Sequence, residues 1–286
     1  MASIPRSEGK VRVNDINMHY VEWAGEGSTV LCVHGLTANC REWDRLGEGL
    51  SPRHRVLAID LRGRGDSDKP ATGYGLAGHA ADLEGFLNAL NLEQVVFVGH
   101  SLGAMIGVYF AANFQSRVSK LVLVDGGNEL ADMKEVLESI RVSLSRLDAS
   151  FPSLDDYMNL WKQAPFLQGD WNEYMERYVA FDMQTEADGS VRSKVPRQVI
   201  EAELSTAVGV RLQPLYSRIV CPTLILRASH GIMSETDLIM PLEAAAAMQQ
   251  AIPNCKVHTI EGTNHYTIVI GKRNDFVERV RAFLEG

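Results

Sequence analysis

Six apolar runs constrain this chain more than any other feature. Four come early: TVLCVHG (29–35), RVLAIDLRG (55–63), QVVFVGHS (94–101) and KLVLVDGG (120–127). Two come late: CPTLILRA (221–228) and CKVHTIEG (255–262). The four early runs do not alternate polar with apolar residues, and a strand without alternation is buried on both faces. Helical patterns such as HAADLEGFLNAL and LGAMIGVYFAANF separate the early runs. Strands alternating with helices form a parallel sheet through crossover connections, so the expected class is α/β, a mostly parallel sheet with flanking helices. Residues 10–23 do alternate, around Asn14-Asp15, which signals a leading hairpin.

The rhythm stops after residue 127. Residues 128–214 read as consecutive helices over 128–147, 153–163, 170–181 and 196–208, with one turn at Asp188-Gly189. Ser153 ahead of Asp155 and Asp156, Asp170 three before Glu173, and Pro196 at a first turn serve as start signals. The α/β rhythm then resumes, with helices expected at 241–251 and near 274–284. The organisation this predicts is a core of residues 1–127 and 215–286, interrupted by a helical cap at 128–214.

Composition narrows the partners. Of 286 residues 45% are hydrophobic, enough for a sizeable core, and 36 acidic against 28 basic side chains leave a net charge of −8. That balance argues against a surface for nucleic acid or anionic membrane and favours a small-molecule partner. The N-terminal segment lacks the apolar stretch of a signal peptide, and no run approaches the roughly 18 apolar residues of a membrane span. Cys32, Cys40, Cys221 and Cys255 show no metal-ligand spacing and read as reduced residues in or near the core of a cytoplasmic protein.

The chemistry is carried by Gly99-His100-Ser101-Leu102-Gly103. This GxSxG run follows VVFV and precedes a helical pattern, the strand-turn-helix setting of a nucleophile elbow. A serine hydroxyl is a weak nucleophile at neutral pH and needs a histidine base oriented by a carboxylate. His265, in a loop after the last strand run, stands at the same sheet edge. His100 is read as directed away from the nucleophile, and His19, His54, His79, His230 and His258 show no partner signal. At the end of TVLCV, His34-Gly35 leads into Leu36. The N–H groups of Leu36 and Leu102 are the candidate donors for an oxyanion.

Taken in order, His34-Gly35, the run Asp60 to Ser67 (DLRGRGDS), the GxSxG elbow and His265 resemble the α/β-hydrolase superfamily over essentially the whole chain, and the insertion resembles its cap-bearing esterases, lactonases and carbon-carbon bond hydrolases. The resemblance implies the α/β-hydrolase fold and a structural role for DLRGRGDS. It also exposes a departure. Most members carry the triad acid a few residues after the strand matching PTLILRA, where this chain has Arg227-Ala228-Ser229-His230-Gly231. Asp125, at the tip of LVLVD, is the favoured acid, because a minority of the superfamily places it there; Asp237 and Glu235 are the alternatives.

The expected activity is a serine hydrolase cleaving a small or medium carboxylic ester or lactone through an acyl-enzyme, without cofactor or metal. Ser101, His265 and Asp125 form its triad. His34, read chiefly as fixing its own loop, is also a candidate for the pocket wall, with Met105, Trp161 and Tyr178. Arg192 and Lys194 read as solvated turn charges. Amide or carbon-carbon bond hydrolysis by the same residues is the alternative, and a ligand receptor built on this fold is the reading of another class.

Overall fold

The computed structural model describes residues 6–129, 137–167, 169–207 and 210–286. An eight-stranded sheet holds β1 (Arg6–Val13), β2 (Ile16–Trp23), β3 (Thr29–Val33), β4 (Arg55–Ile59), β5 (Val95–His100), β6 (Val118–Val124), β9 (Thr223–Ala228) and β10 (Cys255–Ile260). A separate pair is formed by β7 (Met183–Thr185) and β8 (Val191–Ser193). The order is β1-β2-β4-β3-β5-β6-β9-β10. β1 and β2 form the antiparallel hairpin, closed at Asn14-Asp15 with Asn14 at φ 49°, and β2 lies antiparallel to β4. All other neighbours in the sheet are parallel.

Helices α1 (Asp44–Leu50), α2 (Leu76–Ala89), α3 (Leu102–Asn113), α4 (Leu154–Lys162), α5 (Glu173–Phe181), α6 (Arg197–Ala207), α7 (Leu242–Ala251) and α8 (Phe276–Glu285) flank the sheet or build the insertion. Alternate residues of each central strand feed opposite faces. Val30, Cys32, Val96, Val98, Val122 and Val124 pack with Leu46 of α1 and Phe276 of α8. Leu31, Val33, Phe97, Leu121 and Leu123 pack with Phe86 of α2, Ile106 of α3 and Met248 of α7. Each such side chain stabilises the fold by about 1.5–3 kcal/mol on burial, which is why the strands read as unbroken apolar runs.

The insertion differs from the expected all-helical block. β7 and β8 form an antiparallel hairpin around the Asp188-Gly189 turn, and Phe151 extends it by a bridge to Val191. These strands are three residues long and largely polar, so no apolar run announces them. The start of α5 also needs correction. Asn172, not Asp170, accepts from the Tyr174 and Met175 N–H groups, whereas Ser153 does cap α4 through Asp156. Of the first expected insertion helix (128–147), residues 130–136 lie outside the described residues; a helix spans Arg141–Ser145. Among the described residues no helix is long and apolar enough to cross a membrane.

Candidate active site

Ser101 follows β5 and precedes α3 with φ 55° and ψ −117°, a conformation that costs a non-glycine residue on the order of 1–3 kcal/mol. The turn is tight enough to require its glycines. A Cβ on Gly99 would come within 2.2 Å of the Gly103 carbonyl oxygen, and one on Gly103 within 2.0 Å of the Val33 oxygen. The Ser101 N–H donates to the Val124 carbonyl at 3.0 Å, tying the elbow to β6. Leu102 opens α3, where first-turn N–H groups lack intrahelical acceptors.

Asp125 follows β6 directly, with φ 42°. Its N–H donates to the Leu226 carbonyl at 2.7 Å, and its Oδ1 accepts from the Ala228 N–H at 3.0 Å. Its Oδ2 lies 2.7 Å from Nδ1 of His265. With the carboxylate accepting, Nδ1 carries the proton and Nε2 keeps its lone pair. Burial holds the His265 pKa below the ordinary 6.5, helped by the nearby charge of His100 and opposed by Asp125; the ring is therefore neutral at neutral pH.

Ser101 and His265 stand where two chambers meet. The larger spans about 810 Å³, space open to solvent included, and is walled mainly by apolar side chains, among them Leu36, Leu102, Met105, Leu204, Val210 and Ile239; the described residues lining it include Glu203 but no Arg or Lys. The smaller, about 450 Å³, shares Leu36, Ser101, Ile140 and His265 and adds Glu42, His100, Tyr178 and Tyr266. Met105 and Tyr178 thus line chambers, but two expected wall residues do not. His34 is fully buried: its Nε2 accepts from the Leu61 N–H at 3.1 Å and its Nδ1 faces the Gly35 carbonyl at 2.8 Å. Trp161 sits one layer back, edge-on to Tyr178 and Tyr266.

Two buried arginines hold the Leu36 loop. Arg64 Nε donates to the Leu36 carbonyl at 3.0 Å, and its Nη1 meets Glu203 of α6 at 2.9 Å. Against the cost of burial, His79 and Arg64 hold the Glu203 carboxyl down to about 2. Arg146 donates to the Thr37 carbonyl at 2.5 Å while pairing with Asp182 at 2.9 Å. Sequence reasoning missed both contacts, since 139 and 109 residues separate the partners.

Three of the five histidines without a partner signal lie within hydrogen-bond distance of a carboxylate, Asp60 for His19, Glu203 for His79 and Glu235 for His230, while His54 meets the Ser28 hydroxyl. His100, expected to be directed away from Ser101, pairs with Glu42 and packs its ring 4.5 Å from that of His265. Lys194 and Arg192 are paired with Asp66 and Glu186. His19, Cys40 and Asp60 form one group of metal-ligand composition. Asp60 already accepts from the Cys40 and Asp66 N–H groups besides meeting His19, and burial pushes the Cys40 thiol up. The group is a hydrogen-bonded hub that anchors the DLRGRGDS loop.

A family model for the alpha/beta hydrolase fold matches residues 28–271. The chain belongs to the α/β-hydrolase family. The hydrolase is 30% identical over 245 residues to the 2-(acetamidomethylene)succinate hydrolase of Mesorhizobium japonicum, covering 85% of this chain and 83% of that one. It is 29% identical over 278 residues to the 2-hydroxy-6-oxo-2,4-heptadienoate hydrolase of Pseudomonas putida, covering 94% and 92%. Among solved structures, E-2-(acetamidomethylene)succinate hydrolase superposes with a TM-score of 0.86 at 24% identity over 99% of this chain and 100% of that one. An α/β hydrolase from Novosphingobium aromaticivorans does so with 0.80 at 25%, over 100% and 99%.

Proposed function

We propose that this hydrolase cleaves a small or medium carboxylic ester or lactone through a serine acyl-enzyme, and that the acyl half of its substrate is neutral and apolar. Ser101 attacks the carbonyl carbon as His265 Nε2 takes its proton. Asp125 keeps the imidazole in the required tautomer, and the Leu36 and Leu102 N–H groups bind the oxyanion. His265 returns the proton to the departing oxygen, and water repeats the cycle on the acyl-enzyme. The observation that carries the reading is the 2.7 Å contact of Asp125 with His265, a histidine that shares a cavity wall with a serine on a strained elbow.

The apolar wall favours an uncharged acyl group. The relative from Mesorhizobium is named for a succinate, a dicarboxylate, and Arg or Lys side chains would be expected to receive one. The described wall of the larger chamber contains none, and it does contain Glu203. Ser101→Ala is expected to abolish turnover of p-nitrophenyl butyrate and labelling by a fluorophosphonate probe while leaving the melting temperature within a few degrees. Substantial turnover by the folded variant would end the serine mechanism. Carbon-carbon bond cleavage is the second reading, favoured by the near full-length similarity to the heptadienoate hydrolase; faster turnover of a 2-hydroxy-6-oxo dienoate than of any ester would select it.

A further inference from the structure

The larger chamber does not end as a closed pocket. Four of its wall residues, Gly75, Leu76, Thr206 and Val210, also line an outer groove that continues past Tyr109 and Leu215. Ala77, Thr206 and Arg211 in the groove wall are solvent-exposed, so the groove lies open on the surface. Helix α3 contributes to both cavities: Leu102 and Met105 line the chamber, and Tyr109 lines the groove. Spacings of three and four put these residues on one helix face. All three are half-buried, whereas Gly103, Ala104, Ile106, Val108 and Phe110 between and beyond them are buried. At about 1.5 Å per residue this stripe runs about 10 Å along the helix axis, and it starts beside the nucleophile.

The neck between chamber and groove lies where the start of α2 meets the end of α6. A Cβ on Gly75 would fall 2.8 Å from Thr206 Oγ1, so the space on the α2 side of Thr206 is already taken. The polar groups of the neck are paired at home. The Gly75 N–H donates to Glu203 Oε1 at 3.0 Å, and the Thr206 hydroxyl donates to the Glu203 carbonyl at 2.6 Å. Glu203 Oε2 is held by Arg64 and His79. In the groove, Arg211 is the one charged side chain among the described lining residues, and it meets Glu129 at 3.2 Å. Hydrocarbon laid along this path therefore strips no polar group of its partner.

We propose that chamber and groove form one acyl passage, and that the substrate is an ester of an unbranched, uncharged acid whose carbonyl sits at Ser101 and whose far end lies beside Tyr109. The inference rests on the serine-hydrolase reading above and names the acyl group that reading leaves open. An extended chain advances roughly 1.3 Å per carbon, so the α3 stripe takes about eight carbons. Longer chains run on into the open groove. A closed pocket would reject every carbon beyond its capacity, and a passage does not.

The test compares p-nitrophenyl butyrate, octanoate and dodecanoate, each held below its aggregation concentration. The native hydrolase is expected to gain about tenfold or more in kcat/KM from butyrate to octanoate, as the added methylenes are buried along α3. At dodecanoate it is expected to keep at least about a third of the octanoate value. Thr206→Trp places an indole at the neck, on a side chain exposed enough for the fold to tolerate it. That variant is expected to lower the dodecanoate-to-butyrate ratio about tenfold, a readout in which any general loss of activity cancels. No native gain at octanoate, a steeper native fall at dodecanoate, or equal losses on all three esters in Thr206→Trp would overturn the passage. Faster turnover of dodecyl acetate than of ethyl dodecanoate would put the chain on the leaving half and overturn the acyl assignment. Persistent turnover by Ser101→Ala would instead remove the underlying mechanism, so the two failures are distinguishable. The native chain-length profile needs no variant to fold.

Discussion

Strands β6 and β9 lie side by side, run in the same direction and end in loops that carry acids, yet the two ends use their carboxylates differently. Asp125, directly after β6, reaches His265 at 2.7 Å and is braced on β9 through its N–H to Leu226 and its Oδ1 to Ala228. Asp237, in the loop after β9, accepts from the Met233 and Ser234 N–H groups at 2.9 Å. Glu235 is largely solvent-exposed and pairs with His230. A carboxylate on a strand end is aimed by the sheet. One in a long loop first satisfies that loop's own N–H groups.

The comparison is broken most directly by Asp125→Asn. An amide there favours the wrong imidazole tautomer, so kcat is expected to fall by about three to four orders of magnitude with little change in the circular-dichroism spectrum. A loss below tenfold would show that the β6 end is dispensable. Next in size is the pH dependence. His265 works neutral and its pKa is held below 6.5, so kcat/KM should persist as pH falls through 6.5 and decline only under that value. His100→Asn removes a neighbouring positive charge and should move that acid limb upward. An unmoved limb would mean that His100 does not act on His265 electrostatically.

Asp237→Asn should change kcat by less than about twofold and cost on the order of 1 kcal/mol in loop stability, read as a small drop in melting temperature. The smallest effect is expected from Gly231→Asp placed in the Asp125→Asn background. A Cβ at 231 would fall 2.1 Å from Asp237 Oδ1 and from the Ser234 carbonyl oxygen, so the transplanted acid should restore nothing. Recovery of activity in that double variant would make the two strand ends equivalent after all.

Legibility in the sequence follows the same line between strand and loop. The central strands were readable because burial on both faces writes itself as an unbroken apolar run. The elbow, Asp125 and His265 inherit their placement from strand ends. The β7–β8 hairpin was not readable, since its strands MQT and VRS bury little. Asn172 in place of Asp170 is a choice between capping residues two positions apart that only the start of α5 decides. The Glu42–His100 pair joins residues 58 apart, and no local pattern encodes such a contact. His34 and Trp161 were sensible wall residues by position, but His34 serves its neighbouring backbone and Trp161 supports Tyr178 from behind.

The two buried arginines under the Leu36 loop have a consequence for how such enzymes diversify. Arg64 belongs to the core and answers to Glu203 of the insertion, whereas Arg146 belongs to the insertion and answers to the core carbonyl of Thr37. The insertion is therefore not a removable lid resting on a finished catalyst. A chimera that received another member's insertion would inherit a new pocket and lose both clasps on the backbone beside the nucleophile, unless the guanidinium partners travelled with it. Under the proposed function, substrate range and catalytic competence are coupled in this chain, and variation in one requires compensation in the other.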